Sequence, residues 1–310
     1  MTHITEEQVR EVLSMAKAIE LVEESFRRLD EVGVVNQPRR RVVLENSAVL
    51  HYMAAGDNRD GLLAAKLYVT NPRAGARFLV VLFDAERASL LATIDAGALG
   101  QIRTGAASGV ATRHLARADA ATLGLIGSGF QAETQLQAVA AVRALRSVRV
   151  HSRSADNRAA FADRMSRRLG LAVEAVETPR RAVEESDIVV TITSARQPVL
   201  QGAWLPNGCH VNAAGSNHAR RREIDAAAVE RSAVIVVDSI EQAKMEAGDL
   251  IGAAEEGRLD WQRVTELSGV VSGRVAGRQS PNEITLFESQ GLAAEDLAVA
   301  SYVYREVTGQ

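Results

Sequence analysis

The spacing of apolar positions changes character along the chain. Residues 4–9, "ITEEQV", predict a helix start: Thr5 is an N-cap, Gln8 completes a capping box, and Ile4 is placed to staple onto Val9. From about Ala16 to Glu31 the apolar residues keep helical spacing, with Ala18, Leu21, Val22 and Phe26 on one face and Gly33 ending the segment. The period then shortens. "RRVVLEN", "AVLHYMAA", "LLAAKLYVT", "RFLVVLFDA" and "SLLATIDA" read as strands divided by turns such as Gly56-Asp57-Asn58 and Asn71-Pro72-Arg73. Together they predict an open, largely antiparallel sheet. "GALGQIRTGAASGVATRHLA" follows as a small-residue helix, its glycines implying close approach to a neighbour.

From Ala121 strands and helices alternate. "TLGLI", "SVRVHS", "LAVEAVE", "DIVVTITS", "CHVNAAG" and "AVIVVDS" are strand-like, with helical stretches around 131–145 and 157–169. That rhythm predicts right-handed crossovers and a parallel sheet. The last segment, "AAEDLAVASYVYREV", reads as a helix expected to pack back on the first domain. The expected organisation is an α+β domain at 1–116, rejoined by a helix at about 293–310, and a parallel α/β domain at 117–292.

Composition narrows the function classes. The 310 residues are 46% hydrophobic with a net charge of -3, so no global positive field recruits nucleic acid. The arginine runs 39–41 and 220–222 are short and carry no interleaved aromatics. Cys209 is the one cysteine, which excludes an internal disulfide and argues against a structural zinc site. No signal-like N-terminus and no run of ~18 apolar residues is present, so no membrane partner is expected and the expected location is cytoplasmic.

The chemistry begins at "GLIGSGFQAETQL". Gly127, Gly129 and Ala132 form G-x-G-x-x-A directly after a strand and at the opening of a helix, with Ser128, Phe130 and Gln131 between them. Gly127 permits the tight turn, Gly129 lets backbone approach a pyrophosphate, and Ala132 keeps helix and strand close. The second domain therefore reads as a Rossmann-type dinucleotide-binding domain. An NAD-preferring loop places a carboxylate about twenty residues further on. Ser152 and Arg153 stand there instead, and a hydroxyl with a guanidinium suits a 2′-phosphate, so NADP(H) is expected over NAD(H).

Cations mark the first domain. Lys66 lies mid-strand among apolar residues, where a charge is costly without a partner. Arg103 lies in the small-residue helix, and Arg40 and Arg41 open a strand. Converging cations would hold a carboxylate, arginine in bidentate fashion. These residues alone reach an oxidoreductase acting on a small acid.

The motifs in order resemble the ornithine cyclodeaminase/μ-crystallin family: "AAKLYVTNP", "IRTGAASGVATRHLA", "GLIGSGFQAETQL", "VNAAGSN" with "REID", "EAGDL" and "ITLFESQGLAAEDLA". The resemblance implies a homodimer whose first domain supplies the dimer contacts and the substrate site. It implies that Arg40 (or Arg41 in the alternative register), Lys66 and Arg103 grip the substrate carboxylate. It also implies that Thr104, Thr193 and Ser194 touch the cofactor, and that Ser289 and Gly291 belong to a segment near the nicotinamide.

Two departures bear on the activity. Ornithine cyclodeaminases carry an acid where His51 stands, and an aspartate after the strand that here reads "NAAGSN", with Ser216 and Asn217. Asparagine cannot titrate and so cannot serve as the base that cyclodeamination requires. The carboxylate grip and the nicotinamide suffice to reduce a protonated C=N. The expectation is an NADPH-dependent reductase of small cyclic imino acids, with Lys66 in the catalytic site, Asn217 against the ring nitrogen, and His51 either a proton donor or a satisfied strand histidine. Ornithine cyclodeaminase, an alanine-type amino acid dehydrogenase, and an NADP(H)-binding protein with vestigial catalysis are the competing readings. No metal is expected.

Overall fold

The computed structural model describes residues 1–31 and 33–309; Val32 and Gln310, which fall within the expected first domain and C-terminal helix, lie outside the described residues. The chain divides into two compact units, Met1–Ala106 with Gly291–Gln310, and Ala107–Gln290.

The first unit opens with strand β1 (Thr2–Ile4), helix α1 (Glu6–Val12) and helix α2 (Met15–Asp30). The Thr5–Gln8 capping box is present at α1, and α2 ends one residue before the expected Glu31. Five strands follow: β2 (Val34–Val43), β3 (Val49–Asp57), β4 (Leu62–Asn71), β5 (Gly75–Asp84) and β6 (Ser89–Asp95). They pair as an antiparallel meander, and β1 adds to β6 in parallel. Side chains alternate between faces, as a strand's period of two dictates. His51, Met53 and Ala55 of β3 and Ala64, Lys66 and Tyr68 of β4 are buried, whereas Leu50, Tyr52, Leu63, Leu67 and Val69 are exposed.

Helix α3 (Ala96–Leu115) has weak intrinsic propensity, with glycine at 97, 100, 105 and 109. Its ends are held by side chains from elsewhere. The Glu6 carboxylate accepts from the N–H groups of Gly97 (2.6 Å) and Ala98 (2.5 Å). At the other end the Arg143 guanidinium donates to the carbonyls of Thr112 (2.9 Å), Arg113 (3.2 Å) and Ala116 (3.0 Å). Both charges have the sign that the helix dipole favours. The unit boundary falls inside α3, at 106/107 instead of the expected 116/117. From there on the helix is tied to the second unit: Asn212 Nδ2 donates to Thr112 Oγ1 at 3.0 Å, and Thr285 Oγ1 donates to the Leu115 carbonyl at 3.1 Å.

The second unit runs β7 (Thr122–Ile126), α4 (Phe130–Val142), β8 (Ser147–His151), α5 (Ala155–Leu169), β9 (Val173–Ala175), α6 (Pro179–Val183), β10 (Ile188–Thr191), β11 (His210–Ala213), α7 (Ala226–Arg231), β12 (Ser232–Val237), α8 (Ile240–Glu246), α9 (Gly248–Glu255), β13 (Val264–Glu266), α10 (Leu267–Val271) and β14 (Ile284–Glu288). The sheet is wholly parallel, in the order β13-β12-β14-β11-β10-β7-β8-β9. Strands buried on both faces are mostly apolar, as in Ile188–Val190, although β11 and β14 also bury His210, Asn212, Thr285 and Glu288. One cluster gathers Leu123, Leu125, Val148, Phe161 and Met165, and another Val189, Val211, Ile235, Leu250 and Leu286. Sequence reading does not mark β14 as a strand, yet it lies fully buried between β12 and β11.

Helix α11 (Ala293–Thr308) returns to the first unit, packing on α1 and α2 and on β2 to β5. No helix among the described residues is long and apolar enough to cross a membrane.

Candidate active site

In the first unit, β2 decides which arginine turns inward. Val34 and Asn36 face in while Val35 and Gln37 face out, a parity that would carry Arg40 inward. The pairing with β3 slips between Gln37 and Arg40, and this irregularity reverses the parity. Arg40 then pairs opposite Tyr52 on the exposed face, and Arg41 opposite His51 on the buried one. Arg39 is the buried arginine, only 4% exposed, and its Nη2 donates to the Gly291 carbonyl at 3.2 Å. Arg40 thus lies on the exposed face, whereas Arg39 and the alternative Arg41 lie on the buried one, and β2 begins at Val34 instead of near Arg40.

Lys66 is 3% exposed at the centre of β4. Its Nζ donates to Asp296 Oδ1 at 2.7 Å, and Arg103 Nε donates to the same oxygen at 3.1 Å. Arg103 Nη1 also donates to Glu295 Oε2 at 2.9 Å. Two glycines make room. A Cβ at Gly100 would stand 3.0 Å from Lys66 Nζ, and one at Gly291 would stand 2.2 Å from Arg103 Nη1. Gly291 also has φ +78°, a conformation other residues rarely adopt. It forms a corner on which Arg39 and Arg103 both rest.

The buried charged side chains of this unit among the described residues are Arg39, Lys66, Arg103, Glu295 and Asp296, a formal sum of +1. Burial pulls Lys66 down to about 8, with Asp296 working in the opposite direction. Burial also opposes the Arg103 charge, but Asp296 and Glu295 outweigh it and raise its affinity for the proton. Beside them the His51 ring stacks on Tyr68, 4.2 Å between centroids and 2° from parallel, and Tyr68 stacks on Phe78 at 5.0 Å. His51 Nε2 lies 3.0 Å from Thr70 Oγ1, while the buried Nδ1 has no hydrogen-bond partner among the described residues. Burial, then Arg41 and Arg39, push His51 down to about 4. At neutral pH this favours the uncharged ring, the state of a satisfied strand histidine.

The loop at the top of β7 has the form a dinucleotide requires. Gly127 has φ +123°, and a Cβ there would meet the Ile192 carbonyl at 2.2 Å. Gly129 is the N-cap of α4, without a side-chain cap, and an added Cβ would project into open space. A helix N-terminus opening onto unfilled space favours an anion, which fits a pyrophosphate. Ala132 is fully buried, Phe130 is exposed, and Gln131 Oε1 is buried without a partner among the described residues. The strand order reverses between β7 and β10, placing this loop at a topological switch point. Ser128 Oγ donates to Ser152 Oγ at 2.8 Å, Arg158 Nη1 donates to the Ser152 carbonyl at 3.1 Å, and Arg153 is exposed.

The remaining candidates divide. Thr104 Oγ1 donates within its own helix to the Gly100 carbonyl at 2.7 Å. Ser194 and Asn217 are exposed, Ser216 is buried, and Ser289 N–H donates to the Ala213 carbonyl at 2.9 Å. Thr193 is bound by Glu223, which sequence reading did not assign. Glu223 Oε1 accepts from Thr193 N–H (2.5 Å) and Oγ1 (2.6 Å), and Oε2 accepts from Gly215 N–H (2.8 Å) and Thr191 Oγ1 (3.1 Å). Asp249 Oδ1 in turn accepts the N–H groups of Glu223 (2.7 Å) and Ile224 (2.8 Å). Burial raises Glu223 to about 7 and Asp249 to about 6, and raises Glu288 well above the ordinary carboxylate value. Also unassigned were Arg39, Glu295 and Asp296. The available signals were the acids of "REID", "EAGDL" and "AAEDLA", lodged in small-residue or apolar runs.

A loop of dinucleotide-binding form in one unit and a buried cationic cluster in the other are features of a dinucleotide-dependent oxidoreductase. Residues 2–310 match the ornithine cyclodeaminase/mu-crystallin family, and the chain belongs to it. A Δ1-pyrroline-2-carboxylate reductase of Bacillus cereus is 37% identical over 267 residues, 84% of this chain and 82% of that protein. The structure of Thermococcus litoralis Δ1-pyrroline-2-carboxylate reductase with NADH and L-proline is similar with a TM-score of 0.96 and 35% identity, covering 100% of this chain and 98% of that one. An archaeal alanine dehydrogenase dimer with bound NAD has a TM-score of 0.93 and 31% identity, covering 100% and 96%.

Proposed function

We propose that this protein reduces a small cyclic imino acid, of the Δ1-pyrroline-2-carboxylate or Δ1-piperideine-2-carboxylate type, to the L-amino acid with NADPH. The observation that carries this reading is the formal +1 of the buried cluster of Arg39, Lys66, Arg103, Glu295 and Asp296. One substrate carboxylate neutralises it, and an uncompensated buried charge is costly. Arg39 and Arg103 fix the acid, and Lys66 holds it and donates the proton that converts C=N into an iminium. A lysine near 8 holds a transferable proton at neutral pH. The reduced nicotinamide, when bound, supplies a hydride to the C=N carbon, so that one proton and one hydride yield the secondary amine. The loop Gly127–Ala132 would hold the pyrophosphate, with Thr193, Ser194 and Ser289 toward the nicotinamide, and Asn217 would hydrogen-bond the substrate nitrogen. Ser152 and Arg153 in place of a carboxylate after β8 support NADP(H) over NAD(H).

The exposed apolar side chains of the first unit's sheet support a homodimer. Val42, Leu50 and Val69 are successive partners across three strands, Tyr52 pairs with Leu67, and Leu63 pairs with Phe83. A continuous apolar face of this kind is an association surface. Tyr52→Glu with Leu67→Glu should convert a dimer to a monomer in sedimentation; unchanged mass would reject this face.

The activity is tested by mixing protein, NADPH and Δ1-pyrroline-2-carboxylate and following the reduced-nicotinamide absorbance. One NADPH lost per proline formed is expected. No turnover, with ammonia released from L-ornithine, would replace this reading by cyclodeamination, and turnover of pyruvate with ammonia alone by an alanine dehydrogenase.

A further inference from the structure

Lys66 and Arg103 reach the same atom. Nζ of one and Nε of the other converge on Asp296 Oδ1, at 2.7 and 3.1 Å, inside a cluster whose members are all at least nine-tenths buried. Two cations so placed repel each other strongly where water is excluded. Asp296 cancels that repulsion, and its other oxygen, Oδ2, is buried without a hydrogen-bond partner among the described residues. Leaving a carboxylate oxygen bare is costly, so the group is not placed for its own satisfaction.

We propose that Asp296 is a positioning residue for the reduction, one carboxylate oxygen holding the Lys66 ammonium and the Arg103 guanidinium side by side as the receptor for the substrate's anion. This rests on the reading of Lys66 and Arg103 as the carboxylate grip. The groups that face Lys66 are known from each neighbouring element. Asp296 comes from α11, with Glu295 beyond Arg103; Arg103 comes from α3 and Arg39 from β2; the Phe78 ring of β5 is 6.0 Å away; His51 and Tyr68 share its face of the sheet. Of these, only Asp296 is a carboxylate bonded to the lysine, so its removal leaves burial and two arginines to strip the proton from Lys66.

The chain has three lysines, Lys17, Lys66 and Lys244, so ¹³C labelling of lysine gives three side-chain signals to titrate. Lys66 is expected to titrate near 8 in the wild-type protein and a pH unit or more lower in Asp296→Asn, with Lys17 and Lys244 unmoved. The alkaline limb of kcat/KM should move with it, and KM for the imine at pH 7.5 should rise tenfold or more. An unchanged Lys66 titration in folded Asp296→Asn overturns the proposal. Should that variant not fold, Asp296→Glu keeps the charge but displaces the shared oxygen. Its alkaline limb should then stay in place while KM rises several-fold, and an unchanged KM overturns the proposal. A wild-type protein inactive on the imine would reject the reductase reading alone, because the lysine titration reads the Asp296 pairing without substrate.

Discussion

Both units bury carboxylates, and they stabilise them in opposite ways. In the first unit Glu295 and Asp296 are matched by Arg39, Lys66 and Arg103. In the second, Glu223, Asp238, Glu246, Asp249 and Glu288 are buried, and among the described residues no lysine or arginine is buried with them. Backbone N–H groups, amides and protons hold these acids instead: Asp238 Oδ2 accepts the Gln290 N–H at 2.6 Å, Glu246 Oε2 accepts from Gln242 Nε2 at 3.1 Å, and burial beside one another favours a proton on the Glu288–Asp249 pair. An ion-paired cluster with one positive charge in excess keeps its charges at neutral pH and so can take up a substrate anion. A proton-matched cluster is neutral only while it keeps its protons. It suits a clamp on the ends of β10 and β11, and it makes that clamp sensitive to alkali.

The largest effect should come from breaking the ion-paired cluster and removing its excess positive charge. Arg103→Ala leaves Glu295 and Asp296 facing fewer cations and should cost about 3–5 kcal/mol of stability. Its kcat/KM should fall by about a thousandfold or more, since a bidentate grip and a neutralising charge go together. Urea melts and steady-state rates test this, and a variant within threefold of wild type would dissolve the cluster's role. Gly291→Ala comes next. It places a methyl 2.2 Å from Arg103 Nη1 at a strained φ, so KM for the imine should rise well before KM for the dinucleotide does.

The proton-matched cluster should show itself in stability against pH. Folded Glu223 and Asp249 titrate near 7 and 6, above their ordinary 4.5 and 3.8, so the folded state binds protons more tightly than the unfolded chain. Their contribution is complete below about pH 4 and is lost as pH rises through 6 and 7. The urea midpoint should therefore fall between pH 5 and pH 8. Glu288→Gln, whose amide can donate to Asp249 as the protonated acid does, should flatten that fall, and equal slopes in both proteins would refute a proton on the Glu288–Asp249 pair. The smallest change concerns cofactor choice. Ser152→Asp restores a ribose-binding carboxylate and should shift the NADPH/NADH preference tenfold or more toward NADH, read from the two kcat/KM values.

The contrast also separates what was legible in the sequence from what was not. The Thr5–Gln8 capping box and the Gly127–Ala132 loop are local, each residue's role being set by neighbours within a turn, and both were readable. Lys66 and Arg103 were readable as misplaced charges in apolar or small-residue runs. Their carboxylates were not: Asp296 lies 230 residues from Lys66, in a helix whose first-turn acids look like ordinary dipole partners. Arg39 was missed for a different reason. A strand's inward side is inferred from parity, and one irregularity in β2 reverses it without leaving a mark in composition. Strand β14 escaped because a five-residue segment far along the chain, interrupted by Thr285 and Glu288, gives no hint that it belongs mid-sheet.

Helix α3, pinned by Glu6 at its start and Arg143 at its end, works as a strut whose length register is fixed from outside. Its small residues give little grip along its length, so the two pins set how far along its axis Arg103 stands. Tolerance to change should follow that division of labour. Neutralising Glu6, which caps Gly97 six residues and about 9 Å of helix rise before Arg103, should be felt as a shifted guanidinium. The opening residues of the chain thereby act as a calibrating stop for a reaction chemistry in which they take no part.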